Sequence, residues 1–109
     1  MEERNHDAEG TRDEAIDRVE RHANTRWKVN ARTMIWWLAY TRAEFTADAV
    51  WELLARTSLK THEPRAMGPM MQDACRRGLI EPTDAYTRSH RRSCHNRPIR
   101  VWRSRVVGA

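Results

Sequence analysis

The sequence predicts an α+β domain, mostly helical: three helices, the first of them long, and a small antiparallel sheet with a basic C-terminal hairpin. Three observations carry this. Apolar residues recur at helical spacing from Ile16 to Leu38, then around Val50 to Leu54, then from Met70 to Leu79. After Gly78 the period changes, and Val, Ile and Trp dominate the run from Ile99 to Val106, as strands prefer. Between the two extended runs lies a polar loop within Thr87 to Arg105, a stretch with seven arginines, two histidines and no acidic residue.

Each element has its own signals. Residues 1–10 are polar, end in Gly10 and read as a disordered tail. Thr11-Arg-Asp-Glu14 matches a capping box, in which the Thr hydroxyl accepts from an amide of the first turn and the Glu reaches back. Ile16, Val19, Ala23, Trp27, Ala31, Met34, Ile35 and Leu38 then form a helical stripe, and no Gly or Pro interrupts residues 11–42. A single helix of about 30 residues spans about 45 Å, longer than a small domain needs. Asn24-Thr25 is a candidate break, with Thr25 as the cap of a second helix. Trp36, Trp37 and Tyr40 widen the apolar surface, which predicts that the last three turns are enclosed on more than one side. The division that follows is 11–27 as an N-terminal helical extension and 28–109 as the folded domain.

Ala43 to Thr46 reads as a short strand. Thr46 is a credible N-cap for the next helix, and Asp48 falls in its first turn, where the helix dipole favours an anion. Residues 56–62 read as a turn. Pro64 suits a first helical turn, whereas Pro69 deep in a helix would lose a hydrogen bond and clash with the preceding turn. Either a short turn at 64–67 precedes a helix starting at Pro69, or one helix is kinked there. Met70, Met71, Ala74, Cys75 and Leu79 form its buried stripe, and Gly78 is placed to end it. The tryptophans and methionines read mainly as core, with Trp51, Met71 and Trp102 in or beside elements that must pack together.

Charge is unevenly spread. Residues 1–21 carry eight acids and four arginines, whereas residues 82–109 carry one acid and seven arginines, within a net charge of +5. That asymmetry points to an anionic partner at the C-terminal end. The bias to arginine matters because a guanidinium grips phosphate through a fixed fork. Nothing at the N-terminus resembles a secretory signal and no run approaches a membrane span, so a cytoplasmic chain without membrane contact and with two reduced thiols, Cys75 and Cys94, is expected.

The element order, three helices and a terminal basic hairpin, resembles the winged helix-turn-helix fold. The phrases "EFTADAVWELL", "RAMGPMMQDACRRGLIEPT" and "RPIRVWRS" resemble short winged-helix proteins of bacteriophages and prophages, especially those of actinobacterial hosts, over about residues 30–105. Two positions depart from that pattern. Pro69 stands where a helix former is usual, and Asn96 stands in the wing where Gly is common. Asn is the next best residue for a left-handed conformation, which predicts a tight wing tip at His95-Asn96.

The resemblance implies a regulator or recombination accessory factor that binds double-stranded DNA. Its third helix would enter the major groove, and its wing would lie on the backbone or in the minor groove. Removing the buried stripe of residues 61–76 leaves Thr61, His62, Arg65, Gln72, Asp73 and Arg76 as exposed candidates. Of these, Gln pairs well with adenine and Arg with guanine. Arg88, Arg91, Arg92 and Arg97 are the wing residues that would meet phosphate. Residues 11–27, presenting Ile16, Val19, Ala23 and Trp27, either pair with a second copy as a homodimer, which suits a two-fold-symmetric site, or fold back on their own domain. The alternative is a winged-helix module that binds a host protein.

No catalytic role or cofactor is expected. His90, Cys94, His95 and Cys75 supply only half of a zinc spacing. His95 next to Cys94 in an extended hairpin points to the opposite face and makes a poor base for it. Ser/His/Asp sets, paired carboxylates and Gly-rich phosphate loops are missing from the sequence.

Overall fold

The computed structural model describes residues 25–57 and 64–109. The expectations for the tail, the capping box, most of the N-terminal extension, Thr61 and His62 lie outside the described residues. What is described is an α+β arrangement of three helices and a three-stranded antiparallel sheet.

Helix α1 covers residues 25–41. Thr25 is itself helical, so it does not serve as the outlying cap residue that a break at Asn24-Thr25 would need. Trp27, Ala31, Ile35, Leu38 and Ala39 are buried along one face, with Met34 half-buried beside them. Trp27 is a core residue, so the folded unit reaches into the segment assigned to the N-terminal extension. The expected enclosure of the last turns does not occur, because Trp36 and Trp37 are both 52% exposed. At 100° per residue they fall on the side opposite the buried stripe, and the remaining described elements cover only that stripe.

Strand β1 is Glu44–Phe45 and leads straight into helix α2, Ala47–Leu54. Thr46 occupies the cap position with extended backbone, but its side chain makes no capping bond; its carbonyl accepts from the Ala49 amide at 3.1 Å. Val50 and Leu54 are buried, and the Trp51 ring packs against Trp27 with centroids 5.6 Å apart, tying α2 to α1.

A 3-10 turn, Pro64–Ala66, runs directly into helix α3, Met67–Arg76. This settles Pro69. It is the third residue of α3, within the first turn, where backbone amides have no intrahelical partner to lose. Met67, Met70, Met71 and Ala74 face the core, while Cys75 is half-buried. The helix ends in a Schellman arrangement at Gly78, whose φ of 79° suits glycine: Gly78 donates to the Cys75 carbonyl and Leu79 to the Ala74 carbonyl, both at 3.0 Å.

The sheet is completed by β2, Ile80–Arg88, and β3, Pro98–Ser104, with order β1-β3-β2. Phe45 pairs with Trp102, and Ile80 with Ser104, which places three core side chains at one end of the sheet. Register slips between Pro82 and Tyr86. Pro82 is tolerated because β2 is an edge strand. The irregular stretch is held by Thr83, which donates to the Val101 carbonyl at 2.7 Å, and by Arg100, which donates to the Thr83 carbonyl at 2.9 Å. The Ser104 hydroxyl donates to the Ala39 carbonyl, and Gly108 donates to the Tyr40 carbonyl at 3.2 Å, fastening the end of β3 and the C-terminus to α1.

Candidate nucleic-acid interface

Helix α3 has two clearly separated faces. Against the buried methionines, Pro69, Gln72 and Arg76 are exposed at spacings of three and four, and Arg65 is exposed on the turn that leads in. Gly68 is exposed beside them, with open space where a Cβ would stand. The central part of this face is therefore low in relief, with Gln72 and Arg76 projecting beyond it.

Asp73, exposed in expectation, is half-buried and serves as a shared anchor. Arg77 Nε lies 2.9 Å from it, and Arg32 of α1 and Arg76 each lie 3.7 Å from it. All three guanidiniums are more than half exposed, so each pair adds little stability. Three cations on one carboxylate leave a local excess of positive charge.

The hairpin between β2 and β3 is closed at its base by Ser89 donating to the Arg97 carbonyl at 2.9 Å. A 3-10 turn at Arg92–Cys94 follows, and then His95 and Asn96 take φ values of 47° and 60°. The tip therefore turns at His95-Asn96 through two left-handed residues, the conformation Asn tolerates best after Gly. The Arg97 amide donates back to the Cys94 carbonyl at 2.8 Å. Arg88, Arg92 and Arg97 are exposed, and no carboxylate side chain follows Asp84 in the sequence.

Arg91 is placed differently from its neighbours. Its guanidinium carbon lies 4.1 Å from the centre of the Trp51 ring, and the residue is half-buried. A cation held over an aromatic face gains from the ring quadrupole, so Arg91 anchors the hairpin instead of projecting from it. Arg103, on β3, bonds Glu81 across the sheet at 2.7 Å.

A second anchor was not legible in the sequence. Asp48 in the first turn of α2 is only 6% exposed, and Ser89 is fully buried. The Ser89 hydroxyl donates to both Asp48 oxygens at 2.9 and 3.0 Å, and the His90 amide donates to Oδ2 at 2.8 Å. The Arg91 amide in turn donates to Ser89 Oγ at 3.2 Å. A buried carboxylate is tolerable only with such donors, and its position near the start of α2 also favours negative charge. The dipole argument singles out Asp48 from the sequence, but nothing in a single sequence pairs it with a serine 41 positions away.

Cys75 and Cys94 are free and half-buried, the first on α3 and the second in the hairpin turn. Among the described residues, no group of three or more His, Cys, Asp and Glu side chains is arranged to hold a metal ion. Among those same residues, no helix is long and apolar enough to cross a membrane. No family model matches the chain, and comparison with curated proteins and solved structures finds no match either.

Proposed function

We propose that the protein is a winged helix-turn-helix protein that binds double-stranded DNA without catalysing a reaction. In this reading α3 lies in the major groove, with Gln72 and Arg76 at base edges. The hairpin is the wing, carrying Arg88, Arg92 and Arg97 to backbone phosphates or the minor groove. The resemblance of its sequence phrases to phage and prophage proteins favours a regulator or recombination accessory factor as the role.

The observation that carries the reading is the hairpin: an acid-free, arginine-exposing loop fixed at its base to α2 through Asp48 and Trp51. A cationic loop already held in one conformation loses less entropy on meeting a polyanion than a mobile one. The order α1, β1, α2, α3, β2, β3, with β3 central in the sheet, supports it.

Fluorescence anisotropy on duplex DNA at low and physiological salt tests the proposal. If Arg65, Arg76, Arg88, Arg92 and Arg97 each neutralise one phosphate, log affinity falls against log salt with a slope of roughly −4 to −5. Absence of binding at low salt, or binding indifferent to Arg92→Ala combined with Arg97→Ala, refutes it. The same basic surface would then be assigned to an acidic host protein.

A further inference from the structure

Helix α1 buries one face in the core and leaves the opposite face aromatic and cationic. Val29, Trp36 and Trp37 are each more than half exposed, and Tyr40 packs edge-on against Trp36 with ring centroids 5.4 Å apart. With Thr33 they form the floor of an open groove bordered by Arg32 and Arg77. The Thr33 hydroxyl donates to the Val29 carbonyl at 3.0 Å, so it is satisfied within its own helix and the middle of the floor calls for apolar contacts. Large contiguous apolar surface of this kind on a small protein marks an interaction site.

The charge around this groove is almost all of one sign. Residues 25–43 hold Arg26, Lys28, Arg32 and Arg42 and no acid, and all four cations are exposed. Arg26 precedes Thr33 by seven positions and Trp37 by eleven, which puts it in line with them at the start of the groove. Arg32 and Arg77 share the carboxylate of Asp73 with Arg76, so the border keeps a positive excess. We propose that the groove binds an amphipathic helix of another protein, one whose apolar stripe is flanked by aspartate or glutamate.

Charge complementarity selects the flanks of that partner, and the floor selects its stripe. Val29 to Tyr40 extend about 16 Å along α1, the reach of apolar anchors at i, i+4, i+7 and i+11 on a partner helix. A second copy fits poorly. Pairing α1 with α1 would set one acid-free helix against another, and the apolar stripes of α2 and α3 are already buried in the core. A single strand of nucleic acid also fits poorly, since successive bases need ring faces aligned along a track of cations. Here Trp36 and Tyr40 are inclined at 60°, and Arg32 and Arg77 meet at one carboxylate. A bilayer calls for an apolar face that leads the surface, whereas this one forms a floor between guanidiniums.

Fluorescence anisotropy of the full chain with a labelled helical peptide tests this. The peptide has about 18 residues, enough to cover the groove, with Leu at i, i+4, i+7 and i+11 and Glu beside them. The expected result is saturable binding that weakens about tenfold or more when the peptide is scrambled or its Glu residues become Gln. The same loss is expected in Trp37→Glu and in Trp37→Ser, each with the far-ultraviolet circular dichroism of the parent. Trp37→Ser should also keep the parent's affinity for duplex DNA, so that failure of this proposal and failure of the DNA reading are seen separately. Absence of saturable binding overturns the proposal, as does binding indifferent to scrambling or to both Trp37 variants. Trp37-dependent binding of oligothymidine or of phosphatidylglycerol vesicles, tighter than that of the peptide, overturns it in favour of nucleic acid or lipid. A dimer in sedimentation that Trp37→Ser dissociates overturns it in favour of a second copy.

Discussion

The carboxylate of Asp48 and the hydroxyl of Ser89, 41 positions apart in sequence, meet at 2.9 Å in the interior and join the start of α2 to the base of the hairpin. Removing the carboxylate leaves the Ser89 hydroxyl and the His90 amide without their acceptor. Asp48→Ala is expected to lower unfolding stability by about 1–3 kcal/mol, read as a fall in the urea midpoint at unchanged m-value. The Ser89 amide, bonded to Arg97, should also exchange its hydrogen faster. An unchanged midpoint would mean that this contact does not hold the hairpin.

Arg91 and Arg92 are adjacent and should behave oppositely. Arg91→Ala removes the cation over Trp51 and is expected to cost about 0.5–1 kcal/mol of stability. Arg92→Ala, at an exposed position, should leave stability within about 0.5 kcal/mol while reducing the salt slope of DNA binding by about 1. Thermal unfolding and anisotropy on the same two variants separate the roles. Reversal of the two effects would contradict the placement of Arg91 against the core.

Asn96 sits at φ 60° at the hairpin tip. Asn96→Gly should be neutral or slightly stabilising, because glycine adopts this region without steric penalty. Asn96→Val should cost about 1–2 kcal/mol, since a β-branched side chain crowds the carbonyl in a left-handed conformation. Chemical denaturation of the two variants side by side provides the check.

On α3, Gln72→Ala and Arg76→Ala are expected to relax base preference by about 1–3 kcal/mol at single base pairs, as judged by selection from randomised duplexes. Arg88→Ala should instead weaken all duplexes alike, because a phosphate contact carries no sequence information. Equal loss across all sequences for Gln72→Ala would overturn the proposal that α3 enters the major groove.

Local chemistry determined much of this protein before any packing was considered. Period and punctuation placed the three helices, the stop at Gly78 and the two long strands, because those signals act within a few residues of themselves. The left-handed tip at His95-Asn96 was legible for the same reason: few residue types tolerate that backbone. Charge counting alone drew attention to the hairpin, and the strand preference of its second arm was written in Ile99, Val101 and Trp102.

Tertiary structure decided which equivalent-looking residues differ. Four hairpin arginines read alike in sequence, yet Arg91 turns inward because Trp51 presents an aromatic face to it. Asp73 reads as a surface residue until three guanidiniums converge on it from two helices. Trp27 and Trp36 lie on the same helix, but only the first is buried, because α1 packs through one face. Asp48 reads as a dipole-favoured acid, and the donors that make its burial tolerable come from the far end of the chain. Periodicity reports that a residue is apolar or charged; which neighbour it meets depends on contacts between distant segments, and only the folded chain brings those together.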